Sequence, residues 1–127
     1  MTFKNARIAA FGATRKPGTP ADRDPNLKAL LESGCQSVTI FGKSWDLHVT
    51  RIMDNTLEEN LAMIRDSVTY LKSRGREVIY DAEHFFDGFK ANAAYAWQTV
   101  TAACHAGAAF IVLCDTNGGS LPFEIET

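Results

Sequence analysis

Four short apolar runs punctuate the chain, over residues 7–11, 38–41, 77–80 and 110–114. Each is shorter than an ordinary helix. Val38, Ile40, Val78, Ile79, Ile111 and Val112 carry β-branched side chains, which pack well on a pleated surface. The last run, from Phe110 to Cys114, does not alternate with polar residues, the pattern of a strand covered on both faces. Helical signals fill the gaps. Asp24 caps a helix with Pro25 in its first turn; Leu27, Leu30 and Leu31 line its apolar side and Gly34 ends it. Thr56 and Glu59 fit a capping box, after which Leu57, Leu61, Ile64, Val68 and Leu71 recur at steps of four and three until Gly75. A third helix is predicted from about residue 93 to 105, with Trp97, Val100 and Cys104 on its apolar side and Gly107 as its stop. Ser120, Leu121 and Pro122 open a fourth, which the last residue of the chain cuts short.

Strands separated by helices imply an α/β fold with parallel neighbours and right-handed crossovers. Two architectures meet that description, a doubly wound open sheet and part of a (β/α)8 barrel, and the pattern does not choose between them. No Gly-x-Gly-x-x-Gly follows a strand, which removes support for the dinucleotide-binding form of the open sheet. A whole barrel takes roughly 250 residues; the 127 residues here hold about four of its units.

Composition narrows the picture a little. Hydrophobic residues make up 46% and charged residues 22%, values of a chain with a packed core. A net charge of −2 gives no basic field to hold nucleic acid or an anionic membrane. No apolar run approaches the length of a membrane span, and residues 1–12 are too weakly apolar for a signal peptide, so the expected location is the cytoplasm. Cys35, Cys104 and Cys114 are an odd number without Cys-x-x-Cys spacing, and their apolar neighbours suggest buried, reduced thiols.

In parallel α/β folds chemistry gathers at the C-terminal ends of the strands. Polar residues collect there: Thr14, Arg15 and Lys16 after the first strand, Lys43 to His48 after the second, Asp81, Glu83 and His84 after the third, Asp115 to Asn117 after the fourth. Several have ordinary alternatives. Asp115 and Asn117 suit a turn before a helix, Arg15 and Lys16 a solvated loop, His48 a plain loop histidine, and His105 a charge facing a helix dipole. Lys43 and His84 stay open. Glu83, delivered by an apolar strand and flanked by Asp81 and His84, is the stronger acid or base candidate.

Longer runs carry a resemblance. Residues 80–92 (YDAEHFFDGFKAN) look like the fifth-strand region of bacterial citramalate synthases, 112–119 (VLCDTNGG) resemble their sixth strand and loop, and 39–49 (TIFGKSWDLHV) are similar to their fourth strand. The chain as a whole resembles, in order, the third to sixth βα units of the citramalate synthase and 2-isopropylmalate synthase family. The resemblance implies a partial TIM barrel over residues 1–127, lacking the first, second, seventh and eighth units. It implies an acyltransferase that condenses acetyl-CoA with a 2-keto acid, pyruvate above all, to give citramalate for isoleucine synthesis. It further implies a divalent metal ion (Mg, Mn or Zn) and a homodimeric parent. Residue by residue, Glu83 matches a strand-five glutamate suited to acid/base work, and Thr116 a strand-six threonine whose hydroxyl can bond the keto-acid carboxylate. Asp81 shares Glu83's side of the strand and can shape the pocket.

The sequence also departs from that family. Its members carry an Arg-Asp pair at the first strand and His-x-His at the seventh. Here Arg23-Asp24 falls in a loop, Arg65-Asp66 falls inside a helix, and no two histidines are two residues apart. No metal ligand is therefore assigned to this chain, and the family's C-terminal regulatory domain is not expected within these residues. These residues alone are expected to be inactive, and poorly stable or oligomeric. The neighbouring alternatives are a 2-isopropylmalate or homocitrate synthase; the alternative of another class is a non-catalytic half-barrel that binds a partner or self-associates.

Overall fold

The computed structural model describes residues 4–126. Four strands, β1 (Ala9–Ala13), β2 (Ser37–Lys43), β3 (Glu77–Glu83) and β4 (Phe110–Leu113), alternate with helices α1 (Pro25–Glu32), α2 (Leu57–Ser73), α3 (Phe85–Ala106) and the short α4 (Pro122–Ile125). The strands form one sheet in the order β1-β2-β3-β4, all parallel.

Alternate strand residues decide which side of the sheet the helices cover. Val38, Ile40, Val78, Tyr80 and Ala82 join one buried cluster with Leu27 and Leu30 of α1, Ile64, Val68 and Leu71 of α2, and Phe85, Ala96, Val100 and Ala103 of α3. Burial of each large apolar side chain there stabilises the fold by about 1.5–3 kcal/mol. All three long helices thus pack on one face. The opposite face carries Phe11, Thr39, Phe41, Ile79, Asp81, Glu83, Phe110 and Val112 in matching register, and Phe11 remains 63% and Phe110 58% exposed. Helices on one face only exclude the doubly wound sheet and match a partial (β/α)8 barrel, whose inner face is filled by layers of such residues.

Helix starts follow the sequence closely. Asp24 accepts hydrogen bonds from the backbone N–H groups of Asn26 and Leu27. Thr56 accepts from Glu59 N–H at 3.1 Å, but only this half of the predicted capping box forms. The Glu59 carboxylate turns to Arg15 and to the Gly18 N–H, and the Thr56 N–H takes Asn55 Oδ1.

Other expectations need correction. β1 starts at Ala9 rather than residue 7, because pairing with β2 begins at Ala9↔Ser37. β3 runs through Glu83, so Asp81 and Glu83 stand on the strand rather than beyond it. α3 begins at Phe85, not near residue 93. It bends at Asn92 (φ −152°, ψ 80°), whose side chain accepts from Tyr95 N–H and donates to Asp46. The periodicity had found the portion beyond this internal cap. Its buried side is also different: Ala96, Thr99, Val100 and Ala103 face the core, whereas Trp97 is 56% exposed and Cys104 is exposed. Beyond the bend, small residues let α3 lie close to the sheet and α2, which leaves Trp97 outward. Leu31, Leu57 and Leu61 are only half-buried. The three cysteines are free, but Cys35 and Cys114 are half-buried and Cys104 exposed, not buried as expected.

Arg15 is the plainest reversal. It is buried, 6% exposed, and its guanidinium spans Glu59 at 2.7 Å and Asp66 at 2.9 Å. The fork geometry suits two carboxylates at once. The residue fastens the loop after β1 to α2, a structural role rather than a solvated one; Lys16 is exposed.

Candidate functional site

The C-terminal halves of the strands, on the uncovered face, enclose an open cleft of about 360 Å³ lined by Phe11, Phe41, Asp81, Glu83, Cys114 and Thr116. All three residues singled out on β3 and after β4, namely Glu83, Asp81 and Thr116, therefore meet in one place. Period-two alternation puts Asp81 and Glu83 on the same side of β3. Register does the rest: Phe41 lies beside Asp81 and Lys43 beside Glu83, and Val112 pairs with Asp81.

Each polar group in the cleft has a neighbour. The Lys43 ammonium forms an ion pair with Glu83 Oε2, both side chains about a quarter exposed (22% and 26%). The Cys114 thiol donates to Asp81 Oδ1 at 2.9 Å. Burial and that carboxylate push the thiol up to about 12, so Cys114 stays protonated and is no nucleophile. The His84 N–H donates to Thr116 Oγ1 at 2.8 Å. Two carboxylates against one lysine leave the cleft net negative. Such a cleft suits proton handling, and an anionic substrate needs further positive charge to bind there.

A ring cluster stands beside the cleft. His48 packs on Trp45 at 4.7 Å and edge-on against His84 at 4.5 Å between ring centroids. The His84 ring nitrogen Nδ1 meets Asp87 at 3.0 Å. His48 Nδ1 is buried and has no hydrogen-bond partner. Burial, then the neighbouring His84 and Lys43, hold His48 below the usual histidine value of 6.5, against the pull of Glu83 and Asp87. Its neutral form is therefore favoured in the folded protein. As pH falls, the unfolded chain takes up this proton first, so stability present above pH 6.5 declines as pH drops through and below that value. Urea midpoints are expected to fall between pH 7.5 and 5.5, and His48→Gln to flatten that dependence; an unchanged slope in the variant would reject the assignment.

The turn residues resolve simply. Asp115 accepts from the Ser120 N–H and hydroxyl, which hold its carboxyl below the usual range, so it shapes the turn. Asn117 donates to Asp87 at 3.1 Å and links this loop to α3. His105 lies exposed in the last turn of α3, as expected. Lys43, open from the sequence, is set directly beside Glu83 by the register of β2 on β3. The Trp45–His48 spacing of three was the signal for the ring cluster.

A metal ion is implied by the family resemblance, and the donor set can be tested. Asp81 and Glu83 are engaged by Cys114 and Lys43. Among the described residues no group of three or more His, Cys, Asp or Glu side chains is arranged to hold a metal. The residues present do not fit a complete metal site. No described helix is long and apolar enough to cross a membrane.

No family model matches the chain, but individual relatives do. It is 57% identical over 125 residues to the (R)-citramalate synthase of Aquifex aeolicus, covering 98% of this chain and 24% of that protein. With the (R)-citramalate synthase of Geobacter sulfurreducens the identity is 56% over 123 residues, 97% of this chain and 23% of that one. A 2-isopropylmalate synthase of Sulfolobus acidocaldarius is 33% identical over 118 residues, 93% of this chain and 28% of that one. The chain thus spans about a quarter of the length of the curated relatives it matches.

Proposed function

Because the chain belongs, over the stretch it spans, to the citramalate synthase and 2-isopropylmalate synthase family, we propose that it forms part of an acyltransferase condensing acetyl-CoA with a 2-keto acid. Pyruvate is the preferred keto acid and citramalate the product. The four βα units are the third to sixth of a barrel, in a homodimeric cytoplasmic enzyme. One observation carries the reading: Glu83 and Thr116, on neighbouring parallel segments, line the same cleft. Glu83 takes or gives a proton as the acetyl methyl becomes a nucleophile or as the thioester is hydrolysed. Thr116 donates to the keto-acid carboxylate, and Asp81 shapes the wall beside it. A divalent metal belongs to the parent enzyme with ligands outside these residues, and none of these roles depends on it.

The higher identity to citramalate synthases (57%) than to a 2-isopropylmalate synthase (33%) favours pyruvate over 2-oxoisovalerate. Release of CoA thiol from acetyl-CoA, assayed with Mg²⁺ or Mn²⁺ and each keto acid, tests this. The full-length enzyme is expected to turn over with pyruvate and the 127-residue polypeptide not to. Preference for 2-oxoisovalerate or 2-oxoglutarate would reassign the substrate, and turnover by the short polypeptide would overturn the dependence on flanking units.

A further inference from the structure

Behind Thr116 lies a polar cluster of His84, Asp87 and Asn117. His84 sits at the N-cap of α3 in the left-handed region (φ 55°, ψ 35°), sparsely populated by residues other than glycine unless their surroundings hold them there. Its ring is held on two sides, by Asp87 Oδ2 at 3.0 Å and by the edge-on contact with His48. The same Asp87 oxygen accepts from Nδ2 of Asn117, the residue after Thr116, at 3.1 Å. One carboxylate thereby ties the start of α3 to the loop after β4, bracketing the bond from His84 N–H to Thr116 Oγ1. That bond has a chemical consequence. A threonine hydroxyl has one proton to give and two lone pairs. With one lone pair taken by the His84 amide, rotation of the hydroxyl is restricted. Its proton is left for a partner on the cleft side, where Thr116 stands beside Glu83 and Asp81.

We infer that Asp87 is a positioning residue that presents the Thr116 hydroxyl as a donor to the carboxylate of a 2-keto acid; this rests on the function proposed above. Asp87 does not line the cleft and acts only through His84 and Asn117. Loss of its carboxylate frees the His84 ring, relaxes the left-handed residue and lets the amide drift from Thr116. Binding of the keto acid then weakens more than the chemical step or the binding of acetyl-CoA.

The test is a double-mutant cycle in the full-length enzyme, with pyruvate varied at saturating acetyl-CoA. Asp87→Ala is expected to raise KM for pyruvate about tenfold, the worth of one hydrogen bond to a charged group, with KM for acetyl-CoA little changed. Asp87→Asn, whose amide oxygen still accepts both bonds, should restore most of the loss. In a Thr116→Val background, Asp87→Ala should add nothing further. Should Asp87→Ala not fold, Asn117→Ala, which removes one arm of the clamp, takes its place in the same cycle. Effects that simply multiply overturn the inference and leave the functional reading intact, as does a loss confined to kcat or one that Asp87→Asn shares in full. A wild-type enzyme that turns over no 2-keto acid overturns the functional reading and this inference with it, and is recognised by having no KM to measure.

Discussion

Glu83→Gln in the full-length enzyme is expected to lower kcat by about 10²–10⁴-fold, the range a positioned general acid or base supplies, with divalent-metal affinity near its wild-type value. The expectation follows from where the carboxylate stands. Glu83 closes β3, faces the cleft and pairs with Lys43 in the adjacent register position. Glutamine keeps the size of the side chain, and its amide oxygen still accepts from the Lys43 ammonium, so the local packing survives. What disappears is the capacity to take and return a proton. Glu83→Asp separates charge from reach, since it keeps the carboxylate but withdraws it by one methylene; partial activity is expected. Steady-state CoA release gives kcat, and titration calorimetry gives metal affinity. An unchanged kcat in Glu83→Gln would remove the residue from the mechanism, and a matching loss of metal affinity would make it a ligand instead.

Gly88→Ala is expected to destabilise the protein by about 3 kcal/mol, at the upper end of what overpacking costs. Gly88 is buried in the first turns of α3, where they cross the end of β2. A Cβ there falls on the carbonyl oxygen of Ser44 and within 2.8 Å of its carbon and 2.9 Å of Trp45 Cα. These are backbone atoms and cannot rotate away. Alanine favours a helix over glycine by only about 1 kcal/mol, so the clash dominates. Relief requires α3 and β2 to separate, which strains the buried Ser44–Thr99 hydrogen bond (2.9 Å). Gly12→Ala is the control: its Cβ meets the side-chain ends of Asn26 at 2.8 Å and Leu30 at 3.2 Å, which can shift, so the loss should be smaller. Denaturant unfolding compares the two; equal stability of Gly88→Ala and wild type would refute the close approach. Ser44 adjoins Lys43 and Gly88 follows His84 by one helical turn, so the same substitution should also lower turnover.

The order of elements, the parallel direction of the strands and the shared side of Asp81 and Glu83 were all legible in the sequence. Each rests on a short-range rule: apolar period, cap chemistry, and the alternation of side chains along a strand. The resemblance of 80–92 and 112–119 added the proposed roles for Glu83 and Thr116, and the cleft brings those two together. Other features were legible only in part. Residues 85–91 show no helical period of their own because Asn92 interrupts it, and the pattern that puts Trp97 and Cys104 on the apolar side of α3 meets a fold that exposes both.

By itself, then, the sequence determined an alternating α/β chain and the strand ends at which its polar residues gather, since neighbours three, four or two residues apart dictate those outcomes. Tertiary structure decided that all the long helices cover one face, that Arg15 is a buried clamp on α2, that Lys43 meets Glu83, and that Asp87 brackets the Thr116 loop through His84 and Asn117. Apart from the His84–Asp87 pair, three positions apart, those contacts join residues about 30 to 50 positions apart. Register and packing of whole elements create them, and no local pattern in the chain encodes which partner a side chain will find across such a distance.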